Sequence, residues 1–105
     1  MPNRRSNGHK KLQHPGDILL DLVEKHHVKQ IELAKWLGVS FPRLNLILHG
    51  KRSITADTAL RLERIFGKKA EFWLDAQAAY EIDRMRRSAK GRAIARIPRH
   101  PELRK

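Results

Sequence analysis

Residues 30–52 read QIELAKWLGVSFPRLNLILHGKR, and the reading of this stretch decides the fold. Leu33, Ala34 and Leu37 share one helical face, which predicts a helix from about Lys29 to Leu37. Gly38 follows, and glycine tolerates the left-handed conformation that stops a helix without strain. Ser40 is a good N-cap for a second helix. Leu44, Ile47 and Leu48 recur at spacings of three and four, and Gly50 ends that helix. The stretch therefore predicts two short helices joined by a sharp turn.

Two helices crossing steeply need a small residue at their closest approach, and Ala34 is placed for it. Val39, Leu44 and Ile47 pin the second helix inward. Phe41, Pro42, Arg43, Asn45, Leu46 and His49 are left outward. Any pair of packed helices can use Ala, Gly and Leu at these spacings, but the full set is that of a helix-turn-helix. Its second helix enters a DNA major groove. Arg43 can donate twice to guanine, and Asn45 can pair with adenine, each contact giving about 1–3 kcal/mol of discrimination. Phe41 can pack on a thymine methyl group. The Ser40 hydroxyl and the helix N-terminus suit a phosphate. Lys51, Arg52 and Ser53 follow the helix and can clamp the backbone, or form a solvated loop.

The 105 residues carry a formal net charge of +12, which points toward polyanions. The excess lies at the ends. Residues 1–11 hold Arg4, Arg5, Lys10 and Lys11 without an acid. Residues 84–105 hold seven Arg and two Lys against Glu102 alone. Residues 12–83 balance ten bases with ten acids. Such ends read as solubilising tails or as phosphate-seeking arms on a neutral body. The absence of cysteine excludes disulfides and thiolate metal sites and fits a reducing cytoplasm. No apolar run approaches a membrane span, and MPNRRSNGHKK is not followed by a signal-type apolar segment.

The pattern predicts an all-α, five-helix domain with basic flexible tails. Residues 1–13 read as a basic flexible arm, 14–87 as the helix-turn-helix domain with a C-terminal dimerisation helix, and 88–105 as a basic tail. The first helix starts near Pro15, with Ile18, Leu19, Leu22 and Val23 on its apolar face. The fourth follows Thr55, buries Ala59, Leu62, Ile65 and Phe66, and stops at Gly67. The fifth runs from about Ala70 to Arg87. Pro98 and Pro101 argue against helix beyond Ser88.

The segments HPGDILLDLV (14–23), ELAKWLGVS (32–40), LHGKRSITADTALRLERIFG (48–67) and EFWLDAQAAYEID (71–83) resemble the HigA/VapI-type antitoxins of bacterial addiction modules. These are a branch of the XRE, lambda-repressor-like helix-turn-helix family. The resemblance covers about residues 14–83. It implies a homodimer on a palindromic operator in its own promoter, and a partner toxin of the HigB type, a RelE-like mRNA endonuclease. By position it implies that Gln30 supports the recognition helix and touches phosphate. It puts Ser40, Phe41, Pro42, Arg43 and Asn45 on the recognition surface and Lys51, Arg52 and Ser53 in the backbone-gripping loop. The chain departs from the pattern at Lys29, where Ser or Thr usually caps the second helix. It departs also at Phe41-Pro42, where polar residues are common, and at Lys69-Ala70, which replaces Ser-Pro.

The fifth helix is apolar on more than one side. Phe72, Trp73, Ala76, Ala79, Tyr80, Ile82 and Met85 are expected at a two-fold dimer interface, unless the body buries them all. Such a dimer sets its recognition helices about 34 Å apart, one turn of DNA. Asp17, Asp21 and Glu24 on the first helix are the candidate contact for a basic toxin. Catalysis is not expected. His26 and His27 cannot share a helical face, His9 and His14 sit near the flexible start, His100 lies in the basic tail, and no nucleophile motif or phosphate loop occurs. No cofactor or metal is called for. A stand-alone repressor of the same fold and a general RNA- or nucleoid-binding protein are the competing readings.

Overall fold

A computed structural model describes residues 12–104. The chain folds into six α-helices: α1 Pro15–Lys25, α2 Gln30–Leu37, α3 Phe41–Leu48, α4 Ala56–Phe66, α5 Ala70–Arg86 and α6 Ala89–Ile94. A 3-10 turn at Pro101–Leu103 follows. No strand occurs among the described residues. Most of the basic N-terminal arm expected at 1–13, with His9, lies outside the described residues.

The apolar periodicities become one core. Leu19 and Val23 of α1, Leu33, Ala34 and Leu37 of α2, and Leu44, Ile47 and Leu48 of α3 meet Ile54, Ala59, Leu62, Ala70 and Trp73. Trp73 is fully buried. Gly16 sets how closely α1 approaches α3, since a Cβ there would lie 2.0 Å from the Ile47 carbonyl oxygen. The structure corrects the placement of His14 near a flexible start. It is the buried N-cap of α1, and its Nδ1 accepts a 2.8 Å bond from the Gly16 N–H.

Helix ends follow their caps. Ser40 caps α3 and Thr55 caps α4, while Gly38 and Gly67 close α2 and α4 in the left-handed region at φ 69° and 87°. Lys29 and Lys69 give no side-chain cap. Glu63 of α4 supplies the missing acceptor for α5, with its Oε1 2.8 Å from the Ala70 N–H.

Residues 88–104 differ from the expected tail. The Ser88 hydroxyl donates to the Met85 carbonyl at 2.6 Å and accepts from the Gly91 N–H at 3.0 Å, which reverses the chain and starts α6. Gly91 then packs on the end of α5 so closely that a Cβ would lie 1.9 Å from the Met85 oxygen. The prolines do limit helix, but only beyond Ile94: Pro101 opens the 3-10 turn at its first position.

Candidate nucleic-acid interface

The turn that aims α3 is fixed by bonds back into α2 and by a side chain from α4. Gly38 donates its N–H to Lys35 at 3.1 Å, and Val39 donates to Ala34 at 3.0 Å. From α4, the Arg61 guanidinium donates through Nη1 to the Trp36 carbonyl at 3.2 Å and through Nε to Asp57 at 3.1 Å. Arg61 thereby satisfies an open carbonyl at the end of α2. Sequence reading missed this residue, because its partner lies 25 positions away.

Inward, Leu44, Ile47 and Leu48 hold α3 on the core. Outward, Phe41, Pro42, Asn45, Leu46 and His49 are exposed, with Phe41 at 45% and Leu46 at 39%. Ser40 accepts the Arg43 N–H at 3.1 Å, so its own hydroxyl hydrogen remains for an anion. The His49 Nδ1–H donates to the Asn45 carbonyl at 2.8 Å, which fixes the tautomer and leaves Nε2 as the acceptor nitrogen. Arg43 is half-buried, and its Nε is buried without a partner. Its two terminal nitrogens are the ones left for a bidentate contact. Gln30 is the first residue of α2 and half-buried.

The loop after α3 begins at Gly50, which is left-handed at φ 74°. Lys51, Arg52 and Ser53 are all exposed. Ser53 is not simply solvated: its hydroxyl donates to Glu81 of α5 at 2.8 Å. Gln77 of α5 holds the next residue from both sides. Its Oε1 accepts the Ile54 N–H at 2.6 Å, and its Nε2 donates to the Ile54 carbonyl at 3.0 Å. Gln77 also escaped sequence reading, since a glutamine in a long amphipathic helix gives no local sign of a partner 23 residues back.

Beside this loop lies a cavity of about 480 Å³, walled by His14, Lys51, Arg52, Tyr80, Arg84 and Ser88 among others. The His14 ring meets the Tyr80 ring edge-on, with centroids 5.1 Å apart. Burial pushes the His14 pKa down, and Arg84 adds to that against the opposing pull of Asp17 and Glu81.

The residues expected at a dimer interface divide. Trp73 is corrected: it belongs wholly to the core of its own chain and offers no surface. Tyr80 and Ala76 are half-buried, Ala79 is exposed, and Phe72, Ile82 and Met85 are 40%, 50% and 43% exposed. Part of the cover for α5 comes from the chain itself. Ile82 and Met85 share an apolar groove of about 400 Å³ with Ala78, Gly91 and Ile94. On α1, Asp21 and Glu24 are exposed and Asp17 is half-buried in the first turn.

The helix-turn-helix family profile matches residues 19–73. Virulence-associated protein I of Dichelobacter nodosus is 47% identical over 70 residues, a match that covers 66% of this chain. That match spans 65% of the D. nodosus protein, a little under two thirds of its length. An addiction module antidote protein of the HigA family from Coxiella burnetii is 38% identical. It superposes with a TM-score of 0.74 over 87% of this chain and 100% of its own. The Pseudomonas aeruginosa antitoxin HigA, solved with the higBA promoter, is 34% identical with a TM-score of 0.75, over 85% and 97% of the two chains. With Gly38, Ser40 and the buried face of α3 placed as the motif requires, the chain belongs to the helix-turn-helix family, in the branch of HigA-type antitoxins.

Proposed function

We propose that this protein is the antitoxin of a HigBA-type module that binds its own promoter as a homodimer and represses it. The carrying observation is α3 itself. Asn45 and His49 stand exposed, with Arg43 half-buried just before them in sequence, on a helix whose opposite face is buried through Leu44, Ile47 and Leu48. Relatives of the same fold support the reading, since the P. aeruginosa HigA structure contains promoter DNA. Arg43 and Asn45 carry most of the polar readout. Phe41 and Pro42 add apolar contact. His49 Nε2 accepts from a donor on a base edge, and Ser40, Gln30, Lys51, Arg52 and the Ser53 backbone hold phosphates. Gln77 and Glu81 keep the loop in register for that grip.

In the same reading, Phe72, Ala76, Ala79, Ile82 and Met85 lie at the two-fold contact, with Tyr80 at its margin. A RelE-like toxin of basic surface docks on Asp17, Asp21 and Glu24, and the protein works in the cytoplasm at the nucleoid. Footprinting on the DNA upstream of its own reading frame tests the central part. A protected palindrome that disappears with Asn45→Ala supports operator binding; uniform protection along the duplex contradicts it. Light scattering that returns a monomer at micromolar concentration contradicts the dimer. Exchange of Asp17, Asp21 and Glu24 for Lys should weaken toxin capture and spare the footprint; unchanged capture removes that surface.

A further inference from the structure

We infer that residues 84–104 form a folded cationic platform that grips DNA phosphates beside the site read by α3. The inference rests on the operator-binding reading above and extends it to a part of the chain outside the matched residues 19–73.

Charge and folding together carry it. Residues 84–105 set nine basic side chains against Glu102. A solubilising tail needs no fixed shape, yet this segment is tied down repeatedly. Ser88 caps α6, Gly91 packs on the Met85 carbonyl, and Arg92 Nη1 donates to the Arg87 carbonyl at 2.9 Å. Further on, Arg99 Nη1 donates to the Leu103 carbonyl at 3.3 Å, and Arg104 Nε donates to the Arg99 carbonyl at 3.2 Å. These bonds link cations to backbone oxygens and leave their charge uncancelled. Asp83 pairs with Arg87 at 2.7 Å. Arg84, Lys90 and Arg96 are exposed and carry no ion pair among the described residues.

Position supplies the ligand. Arg84 and Ser88, where the platform begins, share a cavity wall with Lys51, Arg52 and Ser53, the loop that follows α3. Glu81 lies on the same wall, bonded to Ser53, so Lys51, Arg52 and Arg84 outnumber one carboxylate where the loop after α3 meets the end of α5. On this inference the backbone of a duplex lying on α3 runs past that loop toward the end of α5. A fixed row of cations meets it without the ordering cost that a free tail would incur. The contacts are to phosphate, so they add affinity without choosing sequence.

The test is the salt dependence of binding to a duplex of the upstream promoter DNA and to a shuffled duplex of equal length. The full-length protein is compared with the triple variant Arg84→Gln, Lys90→Gln, Arg96→Gln, in which every change is exposed. Each phosphate contact contributes about 0.9 to the slope of log K against log salt. The triple variant should lower the slope by about 2–3 on both duplexes and weaken binding roughly ten- to a hundredfold at physiological salt. An unchanged slope overturns the inference. Gly91→Leu keeps every cation but cannot keep α6 against α5. It should also reduce the slope, whereas a full slope in Gly91→Leu overturns the folded platform and leaves a charged tail. Equal binding of the unaltered protein to promoter and shuffled duplexes would count against the operator reading instead, and the slopes would still judge the platform.

Discussion

The body, residues 12–83, balances ten basic side chains with ten acidic ones, while residues 84–105 set nine cations against a single carboxylate. The first region holds its shape by burial, around Trp73 and the leucines of α1 to α4. The second holds it by caps and backbone hydrogen bonds, with Gly91 as its one buried residue between Ala89 and Arg104. A neutral, well-packed body can place Asn45 and Arg43 accurately without attracting every stretch of DNA. A cationic end attracts DNA without needing to read it. Separating the two lets choice of sequence and strength of grip vary independently.

This contrast can be broken most forcefully in the body. Trp73→Ala removes the largest fully buried side chain and should cost about 4 kcal/mol in urea unfolding. A near-normal stability with loss of the dimer alone would mean that Trp73 serves an interface after all. Next in size, Asn45→Ala should cost about 2 kcal/mol of affinity for the promoter duplex and almost nothing on shuffled DNA. A uniform loss on both would move Asn45 from base reading to backbone gripping. Ser40→Ala should lower stability by about 1 kcal/mol through loss of the bond to the Arg43 N–H, read from the thermal midpoint. The midpoint would stay unchanged if that cap were idle.

The smallest effect is one of pH. Burial holds His14 below its ordinary pKa of 6.5, so the unfolded chain takes up the proton first as pH falls. Its contribution is complete above the ordinary value and is lost as pH drops below it, through the folded value. Protonation also blocks the Nδ1 lone pair that accepts the Gly16 N–H. The thermal midpoint should therefore fall on the acid side more in the unaltered protein than in His14→Asn. Parallel pH profiles would remove His14 from the account.

The core of the helix-turn-helix was legible because its determinants are local. Leu44, Ile47 and Leu48 repeat at the helical period, Gly38 marks a left-handed stop, and Ser40 marks a start. Arg61, Gln77 and Glu63 were not legible, because each acts on a backbone group of a different element and nothing in its own neighbourhood announces that partner. Trp73 was misplaced for a related reason: α5 is apolar on several sides, and periodicity alone does not say which side meets the body. The sixth helix was hidden behind Pro98 and Pro101. Ser88, an N-cap like Ser40 and Thr55, was the available signal, but the closeness that Gly91 permits appears only when α5 and α6 are seen together.

The proposed function turns on α3, on its neutral body, reading sequence. The most direct measurement is the ratio of affinities for the upstream promoter duplex and a shuffled duplex of equal length at physiological salt. A sequence-reading α3 should prefer the promoter by about a thousandfold or more. A ratio near one would contradict it and make the protein a general polyanion binder.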